Sequence, residues 1–332
     1  MSPRILVTGA AGQIGSELVV ALRKKYGESN IIATDKAVTR AQVLPGVLEQ
    51  LDVMHLSSVE RALKAHRVDT VYHLAAILSA VGEANPDLAW DINMGGLKNI
   101  LDASVRHGIQ RVFWPSSIGV FGPDAPKVRA PQDTPLNPTT MYGVTKVAGE
   151  LLCEYYALKH GLDVRSVRYP GLISSEAKPG GGTTDYAVEI FYSAIQTRSY
   201  NCFLSEGTVL PMMYMPDALR AAIEIMEADP RRVKMHRGYN LAAVSFSAGE
   251  LAAEIGKHVP GFTVTYSPDA RQAIADSWPE SIDDSAARRD WGWKEEYDMP
   301  SMVTDMLARL HRRLSAGEKT FNSTAGSVHR FP

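Results

Sequence analysis

Short apolar runs alternate with amphipathic segments along the first half of the chain, a rhythm that predicts strands alternating with helices. Ile5-Leu6-Val7 is the first run, and an amphipathic segment from Gln13 to Tyr26 follows it, with Gly27 as its stop. Further runs are Ile31 to Asp35, a stretch ending at Leu51-Asp52-Val53, Thr70 to Ala76, a fifth reaching Ser116-Ser117, and Leu162 to Arg168. Between them the pattern predicts a helix opened by a capping box from Ser57 to Glu60. A long helix from Asn85-Pro86 to His107-Gly108 and another from Asn137-Pro138 to His160-Gly161 are also expected. Strands alternating with helices in this way predict an α/β fold with a doubly wound parallel sheet, which binds ligands outside the carboxyl ends of its strands.

Past Gly171 the rhythm changes. Residues 178 to 186 form a glycine-rich loop that feeds a helix reaching about Gln196, and the loop reads as a flap over a small polar substrate. Met212 to Met226 reads as a strand and helix returning to the first domain, and Gly238 to Leu241 as another strand. Ser247 and Glu250 cap a further helix. The expected organisation is a Rossmann-type dinucleotide-binding domain over 1–170, with returns near 212–242. A smaller C-terminal α/β substrate lobe would take 171–211 and 243–314, and 315–332 a polar, poorly ordered tail.

Composition narrows the class. At 332 residues, 45% hydrophobic and 22% charged, the chain is ordinary globular material. A net charge of −2 offers no basic field for nucleic acid. The two cysteines, Cys153 and Cys202, suit a reducing compartment, and the nine histidines lack ligand spacing, so no metal site is expected. No apolar run reaches membrane-span length, and the first strand begins by Arg4. A soluble intracellular protein is the expectation, cytoplasmic or of the mitochondrial matrix.

The candidate chemistry lies at strand ends. Gly9, Gly12 and Gly15 stand between the first strand and the first helix, where a pyrophosphate can approach backbone N–H groups, including those of Gln13 and Ile14. Their Gly-x-x-Gly-x-x-Gly spacing departs from the commoner Gly-x-Gly-x-x-Gly. Asp35, about 20 positions on, suits the adenosine ribose hydroxyls and repels a 2′-phosphate, which favours NAD over NADP. Asp52 and Val53 are placed for the adenine, and Leu74, Ala75 and Ala76 for close backbone contact. His73 reads as a packed strand residue. Tyr142 and Lys146 share a helix face, so the ammonium should lower the phenol's pKa and make it a general base at an alcohol. Ser116 or Ser117 would hold the same substrate oxygen. Tyr155 and Lys159 repeat the spacing but fall roughly 220° around the helix.

Taken together, Thr8-Gly9-x-x-Gly12-x-x-Gly15, Asp35, His73-Leu-Ala-Ala76, Asn93, Ser116-Ser117 and Tyr142-x-x-x-Lys146 make the chain resemble the extended short-chain dehydrogenases/reductases over residues 1 to about 314. The resemblance implies that Tyr142 is the acid/base, Lys146 binds the ribose and tunes it, Ser117 orients the substrate oxygen, and Asn93 supports a proton-relay water. It adds Tyr169, Pro170 and Leu172 to the NAD contacts. Within that family, Arg168 to Ser175, the Gly182-Thr183-Thr184-Asp185 loop and Ser281 to Trp293 resemble the short-chain-type L-threonine 3-dehydrogenases. That likeness implies NAD-dependent oxidation of the L-threonine 3-hydroxyl without zinc, and a homodimer formed through the two long helices. Ser79, Ser116, Thr183, Thr184, Asp185 and Trp278 are then candidates for the substrate. The rival on the same fold is a nucleotide-sugar epimerase or dehydratase, whose relatives usually carry asparagine near Gly171. A rival of another class is a non-catalytic NAD-sensing protein, which would be expected to have lost Tyr142 or Lys146.

Overall fold

Ile5–Thr8 (β1) is buried along its whole length, with Leu6 entering one apolar cluster and Ile5 and Val7 another. Alternate residues of a strand feed opposite faces, so β1 lies at the centre of a sheet covered on both sides. The computed structural model describes residues 2–37, 47–177 and 182–316. The expected flap residues 178–181 and residues 317–332 of the expected tail lie outside that set. Gln13–Tyr26 (α1), Ile31–Asp35 (β2), Leu48–Gln50 (β3), Leu56–His66 (α2) and Thr70–His73 (β4) follow. Ser79–Ala84 (α3), Pro86–Trp90 (α4), Gly96–Arg106 (α5), Arg111–Ser117 (β5), Met141–His160 (α6) and Asp163–Tyr169 (β6) come next. The main sheet has seven strands in the order β10-β6-β5-β4-β1-β2-β3, where β10 is Gly238–Asn240, and every pairing in it is parallel.

The remaining elements are Gly171–Ile173 (β7), Tyr186–Gln196 (α7), Ser199–Cys202 (β8), Val209–Tyr214 (β9), Met215–Glu227 (α8), Val244–Ser247 (β11), Ala248–His258 (α9), Thr263–Tyr266 (β12), Arg271–Asp276 (α10), Ser285–Trp291 (α11) and Met299–Ser315 (α12). β7, β9 and β11 form a three-stranded sheet, and β8 pairs with β12. A third apolar cluster lies beneath these small sheets, drawing on Phe191, Leu210, Leu251 and Met306.

Four sequence expectations shift. The helix after Asp52 begins at Leu56, not at a Ser57 capping box, because the Asp52 carboxylate accepts the Met54 N–H and its carbonyl the His55 N–H, turning the chain into the helix early. Glu60 instead pairs with Arg106. α6 starts at Met141, not near Asn137-Pro138, since the Thr140 hydroxyl accepts the Gly143 N–H and fixes the N-cap there. The long helix from Pro86 is broken by a π-helical turn, Asp91–Gly95, which carries Asn93. Finally, β9 joins the small sheet while α8 packs against α1, β5 and β6. Met212 and Met213 show why, since they belong to different apolar clusters and β9 bridges the two. The Ser247–Glu250 capping box is formed as expected.

Candidate active site

The glycine turn explains itself by contact. Gly9 sits at φ +69°, and a Cβ there would fall 2.6 Å from the Ala75 nitrogen, while one at Gly15 would fall 2.2 Å from the Gly9 carbonyl oxygen. Only glycine lets the turn lie this close to the end of β4. Gly12 is the N-cap of α1 and supplies no side-chain cap, so the first N–H groups of the helix are left for an anion. The Asp35 carboxylate at the end of β2 accepts the Ala11 and Ala37 N–H groups, each at 3.0 Å, one per oxygen. That locks Asp35 beside the turn and leaves lone pairs for ribose hydroxyls. The residues therefore fit a dinucleotide.

A cleft of about 150 Å³ opens at the carboxyl ends of β1, β4, β5 and β6. Gln13, Ile14, Leu74, Ala76, Tyr169, Pro170 and Leu172 line it from the expected cofactor set, together with Tyr142 and Lys146. Ser79, Ser116, Ser117, Gly182, Thr183, Thr184, Asp185 and Trp278 line it from the expected substrate set. Pro115, Ile118 and Leu78 also line it and were missed, each adjoining a residue that was singled out, and Gly171, expected to tell this substrate from a nucleotide sugar, lines it too. Gly9, Gly12, Gly15, Asp35 and Ala75 stand back from it along the glycine turn and strand ends. Asp52 is tied to Lys36 at 2.9 Å and to the Met54 N–H, and these contacts outweigh partial burial to hold its carboxyl below the usual range. Val53 is a core residue packed against Gly96.

Tyr142 stands in the first turn of α6, its ring against Gly119 and its hydroxyl on the side of Ser117. Ser117 also accepts the Gly119 N–H at 3.1 Å. Lys146, one turn on, is buried; its Nζ donates to the Pro115 carbonyl at 2.6 Å and lies 5.5 Å from the Tyr142 ring centroid. The expected lowering of the phenol pKa is not what results. Burial pushes Tyr142 up, opposed by the neighbouring Ser117 hydroxyl, and burial pushes Lys146 down to about 8. Lys146 donates to a carbonyl, and at the phenol burial is the largest cause of the shift. Tyr155 is about half exposed on the outer side of α6, away from the cleft.

Asn93 does not reach the cleft. Its amide spans the Ile77 backbone, accepting the N–H at 2.7 Å and donating to the carbonyl at 3.1 Å, and its second N–H goes to Thr145 Oγ1. Ser116 faces the cleft, but its hydroxyl donates to Glu150 at 2.6 Å. Asp185 accepts the Gly182 N–H at 2.7 Å and so shapes its own loop. Thr183 is 2% exposed, and its hydroxyl has no hydrogen-bond partner among the described residues. His73 is a packed strand residue, its Nδ1 on Thr8 Oγ1 at 2.7 Å, and burial pushes it down to about 3.

A parallel doubly wound sheet, a glycine turn with an acidic partner, and a Ser–Tyr–Lys group at the strand ends define a dinucleotide-dependent enzyme class. The chain belongs to the NAD dependent epimerase/dehydratase family, whose model matches residues 5–242, and the cofactor is NAD. A relative described as an uncharacterized epimerase/dehydratase of Staphylococcus haemolyticus is 49% identical, covering 93% of this chain and 98% of its own. The fold matches a GalE-like L-threonine dehydrogenase from Cupriavidus necator in its holo form, with TM-score 0.89 and 50% identity over 93% of this chain and all of that one. It also matches a monomeric L-threonine 3-dehydrogenase from a metagenome, with TM-score 0.87 and 50% identity over 93% and 99%. Among the described residues, no helix is long and apolar enough to cross a membrane and no side-chain cluster could hold a metal ion.

Proposed function

We propose that the protein oxidises the 3-hydroxyl of L-threonine to give 2-amino-3-oxobutanoate. The observation that carries this reading is the convergence of Ser117, Tyr142 and Lys146 on one cleft that Gly182–Asp185 also line. The likeness to L-threonine dehydrogenases at 50% identity supports the choice of substrate. NAD supplies the hydride acceptor. Ser117 binds the substrate hydroxyl, and Tyr142, once its phenol has lost its own proton to solvent, removes the hydroxyl proton as general base. Lys146 contributes positive charge beside the ribose and phenol. Asn93 acts by position, clamping Ile77 to α6 through Thr145, which in turn donates to the Tyr142 carbonyl at 2.8 Å. The buried Thr183 hydroxyl suits the substrate carboxylate, and Ser79, Thr184 and Asp185 suit its remaining polar groups. A free amino acid offers little surface, so orientation falls to these few contacts and to closure of the loop.

Gly171 weighs against a nucleotide-sugar substrate. A Cβ there would lie 2.4 Å from the Met212 sulfur and 2.7 Å from Thr184 Cγ2, so the asparagine of that class would require Met212 and Thr184 to shift. The assembled Ser117, Tyr142 and Lys146 weigh against a sensor. A homodimer would cover Val105 of α5 and Leu151, Tyr155 and Leu158 of α6, all exposed; light scattering on the purified protein tests it. The activity test is NADH formation from NAD and L-threonine by wild type and Tyr142→Phe. Threonine-dependent turnover lost in the variant is expected, and an inactive wild type that still binds NADH would overturn the reading.

A further inference from the structure

Lys146 has lost nearly all contact with water, yet its task requires a charge. Burial drives it down to about 8, against opposing contributions from Cys153 and Glu150. What favours the ammonium can be counted among the described groups that face it. On its own helix these are Glu150, already paired with Arg168 at 2.7 Å, and Cys153, which burial keeps a neutral thiol. From β4 it is His73, which is neutral because burial pushes it down to about 3. Tyr142 is a protonated phenol at rest, its ring centroid 5.5 Å away. From β5 come the Pro115 carbonyl and, at 4.5 Å, the face of the Trp114 indole.

We infer that Trp114 is a positioning residue for Lys146, its indole forming the cation–π seat that keeps the ammonium charged and aimed at the cleft. The inference rests on Lys146 belonging to the catalytic group. Three features converge on it. Trp114 is buried beneath α6, among Leu97, Cys153 and Tyr156, and so cannot swing away. The seat is built from both sides, since a Cβ on Gly149 would fall 2.4 Å from the indole Cη2 and 2.6 Å from Cζ2. Glycine at 149 is therefore what lets α6 lie against the ring. Strand and helix also cooperate, because Trp114 and the Pro115 carbonyl are consecutive on β5 and hold the same ammonium from two directions. Indole presents the strongest face of the aromatic side chains for a cation, and the attraction grows when water is excluded.

The test reads the Lys146 titration directly, by acetylation with acetic anhydride across pH and mass spectrometry of the Lys146 peptide. Trp114→Leu should move the labelling midpoint down by about one pH unit, the scale of a desolvated cation–π contact. Trp114→Phe, which keeps an aromatic face, should stay close to wild type. Gly149→Ala, which displaces the ring without removing it, should shift the midpoint in the same direction as Trp114→Leu. The alkaline limb of kcat/KM for threonine should follow the labelling midpoint. Coincident titration of wild type and Trp114→Leu would overturn the inference, as would an equal shift in Trp114→Phe. The labelling arm needs no turnover, so failure of the threonine reading leaves this result intact and distinguishable.

Discussion

Glu150 of α6 and Arg168 of β6 form a two-point ion pair, Nη2 to Oε2 at 2.7 Å and Nε to Oε1 at 2.8 Å, with both side chains shut off from solvent. The same carboxylate accepts the Ser116 hydroxyl, and Arg168 continues to Asn240 Oδ1 and the Gln132 carbonyl, each at 3.1 Å. The pair thus knots β5, β6, β10 and α6 together directly behind the cleft. Glu150→Ala leaves a buried guanidinium uncompensated and should cost about 3–5 kcal/mol. Glu150→Gln, which keeps an acceptor, should cost less. Urea unfolding of the three proteins checks the order.

Glu17 on α1 is held by the Ser174 hydroxyl at 2.5 Å, at the turn leading toward the substrate loop. Burial pushes its carboxyl from 4.5 up to about 7; Glu176 adds to this, while the Ser174 bond and the Arg309 and Arg313 charges oppose it. A carboxyl raised on folding binds its proton more tightly in the folded state. Its contribution is complete below about pH 4.5 and is lost as pH rises through about 7. Glu17→Gln should therefore be more stable than wild type above pH 7, with the difference closing toward pH 4.5. Denaturant midpoints across that range are the measurement, and a constant difference would contradict the assignment.

Thr183 separates a structural hydroxyl from a substrate-binding one. Its buried Oγ1 has no described partner, so Thr183→Val removes an unsatisfied group at nearly constant shape and should leave stability unchanged or slightly raised. KM for threonine should rise at least tenfold, since a hydrogen bond to a charged group is worth about 1.5–3 kcal/mol. NADH affinity should hold. Unchanged KM would remove Thr183 from the substrate site.

Lys127 ties the Trp278 wall of the cleft to the chain after β5. Its Nζ donates to the Asp276 carbonyl and, at 3.0 Å, to that of Trp278, while its own carbonyl accepts the Glu280 and Ser281 N–H groups. Lys127→Ala should loosen this wall and raise KM for threonine several-fold, with kcat and NADH affinity little changed. Lys127→Arg should recover part of the loss. Steady-state kinetics with an NADH fluorescence titration distinguish this from general destabilisation, which would lower all three.

Much of the nucleotide-facing half was legible because its signals are local. A glycine turn between an apolar run and an amphipathic helix can be read within fifteen residues of Met1, and α1 falls at the expected Gln13–Tyr26. Tyr142 and Lys146 share a face because helix geometry fixes it, while Tyr155 turns outward for the same reason. The second half was read less completely. β7, β8 and β12 are three or four residues each, too short for periodicity to register, and β8 pairs with β12 across some sixty positions of chain.

The sequence by itself determined the doubly wound sheet, the turn at Gly9–Gly15, and the residues able to do chemistry at the strand ends. Spacing and side-chain type suffice for these. Only the tertiary structure decided how each group is used. It committed the Ser116 hydroxyl to Glu150 and the Asn93 amide to Ile77 and Thr145, and it left the Thr183 hydroxyl without a partner among the described residues. It also placed Lys146 on an indole and a carbonyl, and it buried the Tyr142 phenol, which raises its pKa. Burial and hydrogen-bond partners arise from contacts between distant segments, and no local pattern encodes them.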